Sequence, residues 1–299
     1  MYEARSFTHR NQTPLTMDEI ARRAPSALAT RPYDRMSAKY THIPTLGVIE
    51  AMIAAGFQPF SAVQSRTRIE GRASFVKHAL RFRHEDVSRS LAVGDVIPEV
   101  VVINSHDGAC AFKLIAGLYR LVCWNGLMVS DGEIDSISVT HKGDVLRDVV
   151  ESSHKLMGET QRSLATVQNW TRLQLTDGEQ AAFAESAHRL RFADADGKVT
   201  TPITPAQLLA PRRRDDVGSD LWRTFNRVQE NVIAGGLSAV QRDGDGRRIR
   251  RVATRRINGI DQDVRLNRAL WELAAKMAEL KGSGPKVEAP FIDAEVVAA

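Results

Sequence analysis

The chain has 299 residues, 43% of them hydrophobic, enough to bury a sizeable core without disulfides. Its two cysteines, Cys110 and Cys123, lie in apolar surroundings without ligand spacing, which argues against a disulfide scaffold or a zinc cluster and for the reducing cytoplasm. No window approaches eighteen apolar residues, and Met1-Tyr-Glu-Ala-Arg-Ser6 lacks a signal-peptide core, so a cytoplasmic protein with no membrane partner is expected; 41 Lys and Arg against 36 Asp and Glu, a net of +5, favour a polyanionic one.

Thr16-Met-Asp-Glu19 is a capping box that opens a short helix toward Ala24, with Pro25 as its stop. Thr45 is expected to cap a second helix, whose apolar positions Leu46, Ile49, Met52 and Ile53 share a face and which ends at Gly56. Phe57 to Ile69 and Phe75 to Arg83 read as two strands of a hairpin around Gly71. On the first strand Arg66 and Arg68 share a face; on the second Lys77, Arg81 and Arg83 do, opposite Val76, Leu80 and Phe82. If those basic faces coincide, the hairpin is a cationic surface.

Pro98 to Ile103 is a β-branched run suited to a buried strand, closed by the turn Asn104-Ser-His-Asp-Gly108. Ala109 to Trp124 is ambiguous: Phe112, Ile115, Tyr119 and Val122 suit a helix, favoured for its second half, whereas a strand bulged at Gly117 competes. Glu133 to His141 alternates like a strand. Helices are expected from Gly143 to Arg172, from the capping box Thr176-Asp-Gly-Glu179 to Phe192, from Ser219 to Ala234 and from Asp261 to Leu280. Residues 242 to 256 hold seven arginines around Asp243-Gly-Asp-Gly246 and read as a solvated loop or a hairpin arm.

These elements predict an α+β fold: a small antiparallel or mixed sheet packed by helices in the N-terminal half, and a mainly helical C-terminal half with a basic hairpin or loop. The boundaries are a core domain over 1–142, a helical part over 143–281 packed on the same core, and a flexible tail over 282–299.

Ser105, His106 and Asp107 are the residue types of a hydrolase, but adjacent side chains on a turn diverge, and Asn, Asp and Gly serve the turn itself. Cys123, with His78 or His106 as base, is a second catalytic candidate; between Val122 and Trp124 it reads as a small buried hydrophobe. Glu99, Asp107 and Glu133 are scattered acids, and no histidine or cysteine spacing marks a metal site. No glycine-rich phosphate loop is present, and no cofactor is expected. For nucleic acid the candidates are Arg66, Arg68, Lys77, Arg81, Arg83, Arg212, Arg213, Arg247, Arg248, Arg250 and Arg251, with Phe75 or Trp124 to stack bases if exposed.

Five strings carry a family resemblance: Tyr40-Thr-His-Ile-Pro-Thr45, Lys77-His-Ala-Leu-Arg81, Asn104-Ser-His-Asp-Gly108, Gly117-Leu-Tyr-Arg-Leu-Val-Cys-Trp-Asn-Gly126 and Asn267-Arg-Ala-Leu-Trp-Glu-Leu-Ala274. In this order the chain resembles the phage/plasmid-like proteins of domain of unknown function 932. The resemblance implies carriage on prophages, plasmids and other mobile elements and assigns no chemistry. The order of elements is also similar to that of phage single-strand annealing proteins, which hold DNA strands in a cationic groove of a ring. The expectation is a non-enzymatic nucleic-acid-binding protein, a homo-oligomer acting on single-stranded DNA in recombination or replication. An enzyme centred on Ser105, His106, Asp107 and Cys123, or an interaction protein without nucleic acid, are the alternatives.

Overall fold

The computed structural model describes residues 13–37, 40–85, 96–120, 125–128, 136–138, 145–243, 245 and 247–282. Helix α1 (Met17–Arg23) begins at the expected capping box: the Glu19 amide donates to Thr16 Oγ1 at 3.3 Å, and the Thr16 amide donates to Glu19 Oε2 at 2.9 Å. A single 3-10 turn, Pro25–Leu28, follows. In α2 (Thr45–Ala54) Pro44 occupies the cap position, not Thr45. The Thr45 hydroxyl turns inward instead, because buried polar atoms behind it need a partner.

The sheet runs β1 (Phe57–Gln64), β2 (His78–His84), β3 (Val96–Asn104), β4 (Lys113–Arg120) and β5 (Asn125–Met128), with β6 (Ser136–Ser138) also on β4, and every ladder is antiparallel. Two expectations are corrected. The first two strands are shorter than read, since residues 65–77 form an irregular loop held by local bonds such as the Ile69 amide to Thr67 Oγ1 at 3.1 Å, so Arg66 and Arg68 lie on no strand face. The segment Lys113–Arg120 is a strand and not a helix: Leu114 and Ala116 stand opposite Val102 and Val100, and β3 pairs it along its whole length. Cys123, Trp124 and Glu133 lie outside the described residues, as does most of the strand expected from Glu133 to His141.

Alternation then sorts the sheet into two faces. The inner one carries Leu80, Phe82, Val100, Val102, Leu114, Ala116 and Leu118 into the main core, where α2 and the long helix α3 (Val145–Arg172) lie. The same core continues into α4 (Asp177–Phe192), α6 (Leu221–Ala234) and α7 (Ile260–Leu280), with the one-turn helix α5 (Pro205–Leu208) at its margin. Trp170 of α3, Trp222 and Phe225 of α6 and Trp271 of α7 pack ring to ring, with centroids 4.5 to 6.4 Å apart. The outer face carries Ala79, Val101, Ile103 and Ile115 and is covered by the start of α7 through Ile260 and Val264.

Between α6 and α7 the chain leaves the body as a two-stranded ribbon, β7 (Ser238–Arg242) and β8 (Arg248–Ala253). Gly235 at its base has φ +65°, and a Cβ there would stand 2.6 Å from the Arg255 carbonyl carbon. Only glycine permits that approach.

Candidate nucleic-acid interface and a buried histidine cluster

The arginines singled out from sequence divide sharply once their surroundings are known. Arg81 Nη1 and Arg83 Nε donate to the two oxygens of Glu99 at 3.0 and 2.9 Å, and Glu99 is fully buried. Arg83 also lies over the Phe60 ring, 4.2 Å from its centroid. The expected cationic hairpin face is therefore an internal ion triad, since Glu99 sits on the strand next to β2 and on the same side of the sheet. Lys77 donates to Asp261 of α7 at 2.6 Å. Arg212 bonds Asn231 Oδ1 at 2.7 Å and the Gly235 carbonyl, while Arg213 grips Glu230 through both nitrogens. Both hold α6 and the ribbon base in place. Arg66 and Arg68 are exposed on the loop after β1.

The ribbon arginines behave differently. Arg247, Arg250 and Arg251 are exposed, and the side-chain partners of the last two are neutral: Gln241 Oε1 at 2.8 Å and Ser238 Oγ at 3.0 Å. Because Arg250 and Arg251 are consecutive in a strand, they project from opposite faces of the ribbon. Arg248 lies in the same strand. No ribbon side chain that is described is buried. In the turn the Asp243 carboxylate is held on the backbone, with Oδ1 accepting from the Asp245 and Arg247 amides at 3.0 and 2.8 Å. Phe75, a candidate for base stacking, is buried against Tyr33 and Arg31.

The turn Asn104–Gly108 belongs to a different structure, one that sequence reasoning did not assemble. Ser105, His106 and Asp107 diverge, as turn geometry predicts. Ser105 Oγ accepts from the Cys110 amide at 3.0 Å, and Asp107 accepts from the Ala109 amide at 3.0 Å and from Arg72 Nε at 2.8 Å. His106 points inward to His42 and Thr45. His42 Nε2 lies 3.0 Å from His106 Nδ1, and Thr45 Oγ1 lies 3.4 Å from His106 Nε2 and 2.9 Å from His78 Nε2. His78 Nδ1 reaches both the Val76 carbonyl and Ser26 Oγ at 3.1 Å. Asn104 Nδ2 donates to Thr45 Oγ1 at 2.9 Å and to the Ile43 carbonyl at 3.0 Å.

One arrangement of protons satisfies the whole chain. The Val76 carbonyl requires His78 to carry its proton on Nδ1, so Nε2 accepts from the Thr45 hydroxyl. Thr45 oxygen then receives Asn104 and the His106 Nε2 proton, leaving His106 Nδ1 to accept from His42 Nε2. Every ring is neutral. Burial pushes His106 down to about 3, with the neighbouring His78 and His42 adding to the shift, and burial pushes His78 down to about 4. His42 is lowered for the same reason, while burial raises the Cys110 thiol and the Tyr40 phenol. His78 and His106 are therefore not bases poised near neutral pH, and the raised Cys110 thiol stays protonated there. The cluster ties the segment before α2 to β2 and β3. Among the described residues no group of three or more His, Cys, Asp or Glu side chains is arranged to hold a metal, and no helix is long and apolar enough to cross a membrane.

The described architecture defines an α+β protein with an antiparallel sheet, helices on its core face, a largely buried polar cluster at one sheet end and a projecting arginine ribbon. Three of the strings that carried the resemblance, those with His42, His78 and His106, converge on that cluster. The chain belongs to the family described as Domain of unknown function (DUF932), which matches residues 32–271. It is similar to two proteins of Escherichia coli (strain K12). UPF0380 protein YafZ is 39% identical over 265 residues, 89% of this chain and 92% of the relative. UPF0380 protein YfjQ is 38% identical over the same length and the same shares. No solved structure matches the chain.

Proposed function

We propose that this chain is a nucleic-acid-binding protein whose contact element is the β7–β8 ribbon. The observation that carries the reading is a ribbon with no buried side chain among those described, arginines on both faces and neutral partners for Arg250 and Arg251. An isolated two-stranded ribbon is marginal in water and gains most from a partner that covers it. Guanidinium groups on both faces suit phosphates on two sides, as in a groove or between strands. Arg66 and Arg68 are the other exposed candidates for backbone contact. The buried Phe75 removes one of the two stacking candidates, and Trp124 lies outside the described residues, so the reading rests on phosphate contact. A role in handling single-stranded DNA of a phage, prophage or plasmid during recombination or replication fits the context that the family resemblance implies. The enzyme alternative finds less support, because Ser105, His106 and Asp107 diverge into separate hydrogen bonds.

Fluorescence anisotropy of labelled single- and double-stranded DNA over a salt series tests the reading. Affinity is expected to fall steeply with salt, and Arg250→Ala/Arg251→Ala is expected to lower the slope of log K against log salt by roughly 1.4 for single strands and roughly 1.8 for duplex. A double variant that binds as the parent does at every salt concentration refutes the assignment.

A further inference from the structure

The outer face of the sheet is not fully closed by α7. Beside the contact that Ile260 and Val264 make with it lies an open cleft of about 410 Å³, with Ile103, Cys110, Lys113 and Ile115 on its sheet side and Val264, Arg265, Arg268, Ala269 and Glu272 on its helix side. The helix residues recur at steps of three and four, so one stripe of α7 faces the cleft. Its floor is apolar, formed by Ile103, Ile115, Val264 and Ala269. Its rim is charged. Asp261 at the rim is neutralised by Lys77 at 2.6 Å, and Glu272 offsets Arg268 in charge. Lys113 on the strand wall and Arg265 on the helix wall remain, both exposed, and neither has a carboxylate within ion-pair distance among the described residues.

We propose that this cleft is a binding site for a free mononucleotide, distinct from the ribbon. Its volume lies in the range of small-molecule sites, where an apolar surface takes the body of the ligand and a few polar groups orient it. The requirement here is a ligand with a flat, largely apolar body and a compact anion at one end. A nucleobase against Ile103, Ile115 and Val264, with its phosphate between Lys113 and Arg265, meets both demands. A purely apolar ligand leaves the opposed cations unused, and a bare anion leaves the floor unused.

The test is isothermal titration of the full chain with AMP, adenosine and inorganic phosphate, alongside Lys113→Ala/Arg265→Ala and Arg250→Ala/Arg251→Ala. Both cations of the cleft are on the surface, so their removal is expected to leave the melting temperature unchanged. AMP is expected to bind at one site per chain, at least about tenfold tighter than adenosine or phosphate, and to lose about tenfold per cation removed. The ribbon variant is expected to keep AMP affinity within about twofold while its DNA affinity falls, which separates this site from the ribbon. Absence of AMP binding at millimolar concentration, adenosine or phosphate binding as tightly as AMP, or a cleft variant that binds AMP like the parent would each overturn the proposal.

Discussion

Acidification from about pH 7.5 to about pH 5 is expected to weaken the fold by roughly 4 kcal/mol through His78 and His106 alone, worked from the linkage between proton uptake and stability. Both rings are fully buried, and their folded values lie at about 4 and about 3 against 6.5 for the free side chain. The unfolded chain takes up a proton at each ring as the pH falls through 6.5, while the folded chain does not until it nears those lower values. Their contribution is thus complete above 6.5 and is lost as the pH falls toward 4 and then 3. Each ring costs about 1.4 kcal/mol per pH unit in that window, so a drop to about 1.5 units below the free value removes about 2 kcal/mol per ring. Urea unfolding of the parent and of His106→Gln at both pH values isolates the effect, because the glutamine keeps an amide in the cluster without a titrating group. The parent is expected to lose about 2 kcal/mol more than the variant. Parallel losses refute the reasoning. Imidazole Cε1 proton resonances give an independent check: those of His78 and His106 are expected to stay constant between about pH 8 and about pH 5, and midpoints near the free value contradict a buried neutral cluster.

Two further outcomes follow from the same kind of bookkeeping. Glu99→Gln strips the buried carboxylate from Arg81 and Arg83 and is expected to destabilise the fold by roughly 3–5 kcal/mol in urea, far more than any exposed pair such as Arg31–Asp34. Gly235→Ala places a Cβ 2.6 Å from the Arg255 carbonyl carbon at a φ of +65°, so the ribbon base must shift. A thermal-melt loss of more than about 1 kcal/mol, together with weaker DNA binding, is the expected pair of results.

Elements governed by neighbours a few residues away were legible in the chain. The capping boxes at Thr16 and Thr176 form as read, because their partners Glu19 and Glu179 are three residues on. The sequence left β4 open between helix and strand, with helix favoured for its second half, because Phe112, Ile115 and Tyr119 fit a helical stripe while the partner that decides, β3, enters only through the ladder. Alternation correctly placed Arg81 and Arg83 on one side of β2 but carried no sign of Glu99 waiting on β3. The histidine cluster was present in the sequence only as separate strings. His42, Thr45, His78, Asn104 and His106 come from a loop, a helix start, two strands and a turn, and no spacing rule joins them.

What decides the role of an arginine here is whether an acid from a distant segment reaches it. Glu99 reaches Arg81 and Arg83, Asp216 reaches Arg120 at 2.6 Å, and Glu230 reaches Arg213. Each of those acids is buried, so the guanidinium opposite it is drawn inward and its charge is spent within the fold. The ribbon's Arg250 and Arg251 escape this because the ribbon leaves the body beyond Gly236 and Thr254, where the Gly236 amide donates to the Thr254 carbonyl at 2.9 Å, and because Asp243 in its turn is occupied by amides. Its positive charge is therefore a consequence of topology. Moving an acid onto the ribbon, as in Val240→Glu opposite Arg251, is expected to quench that charge locally and weaken nucleic-acid binding without touching the core.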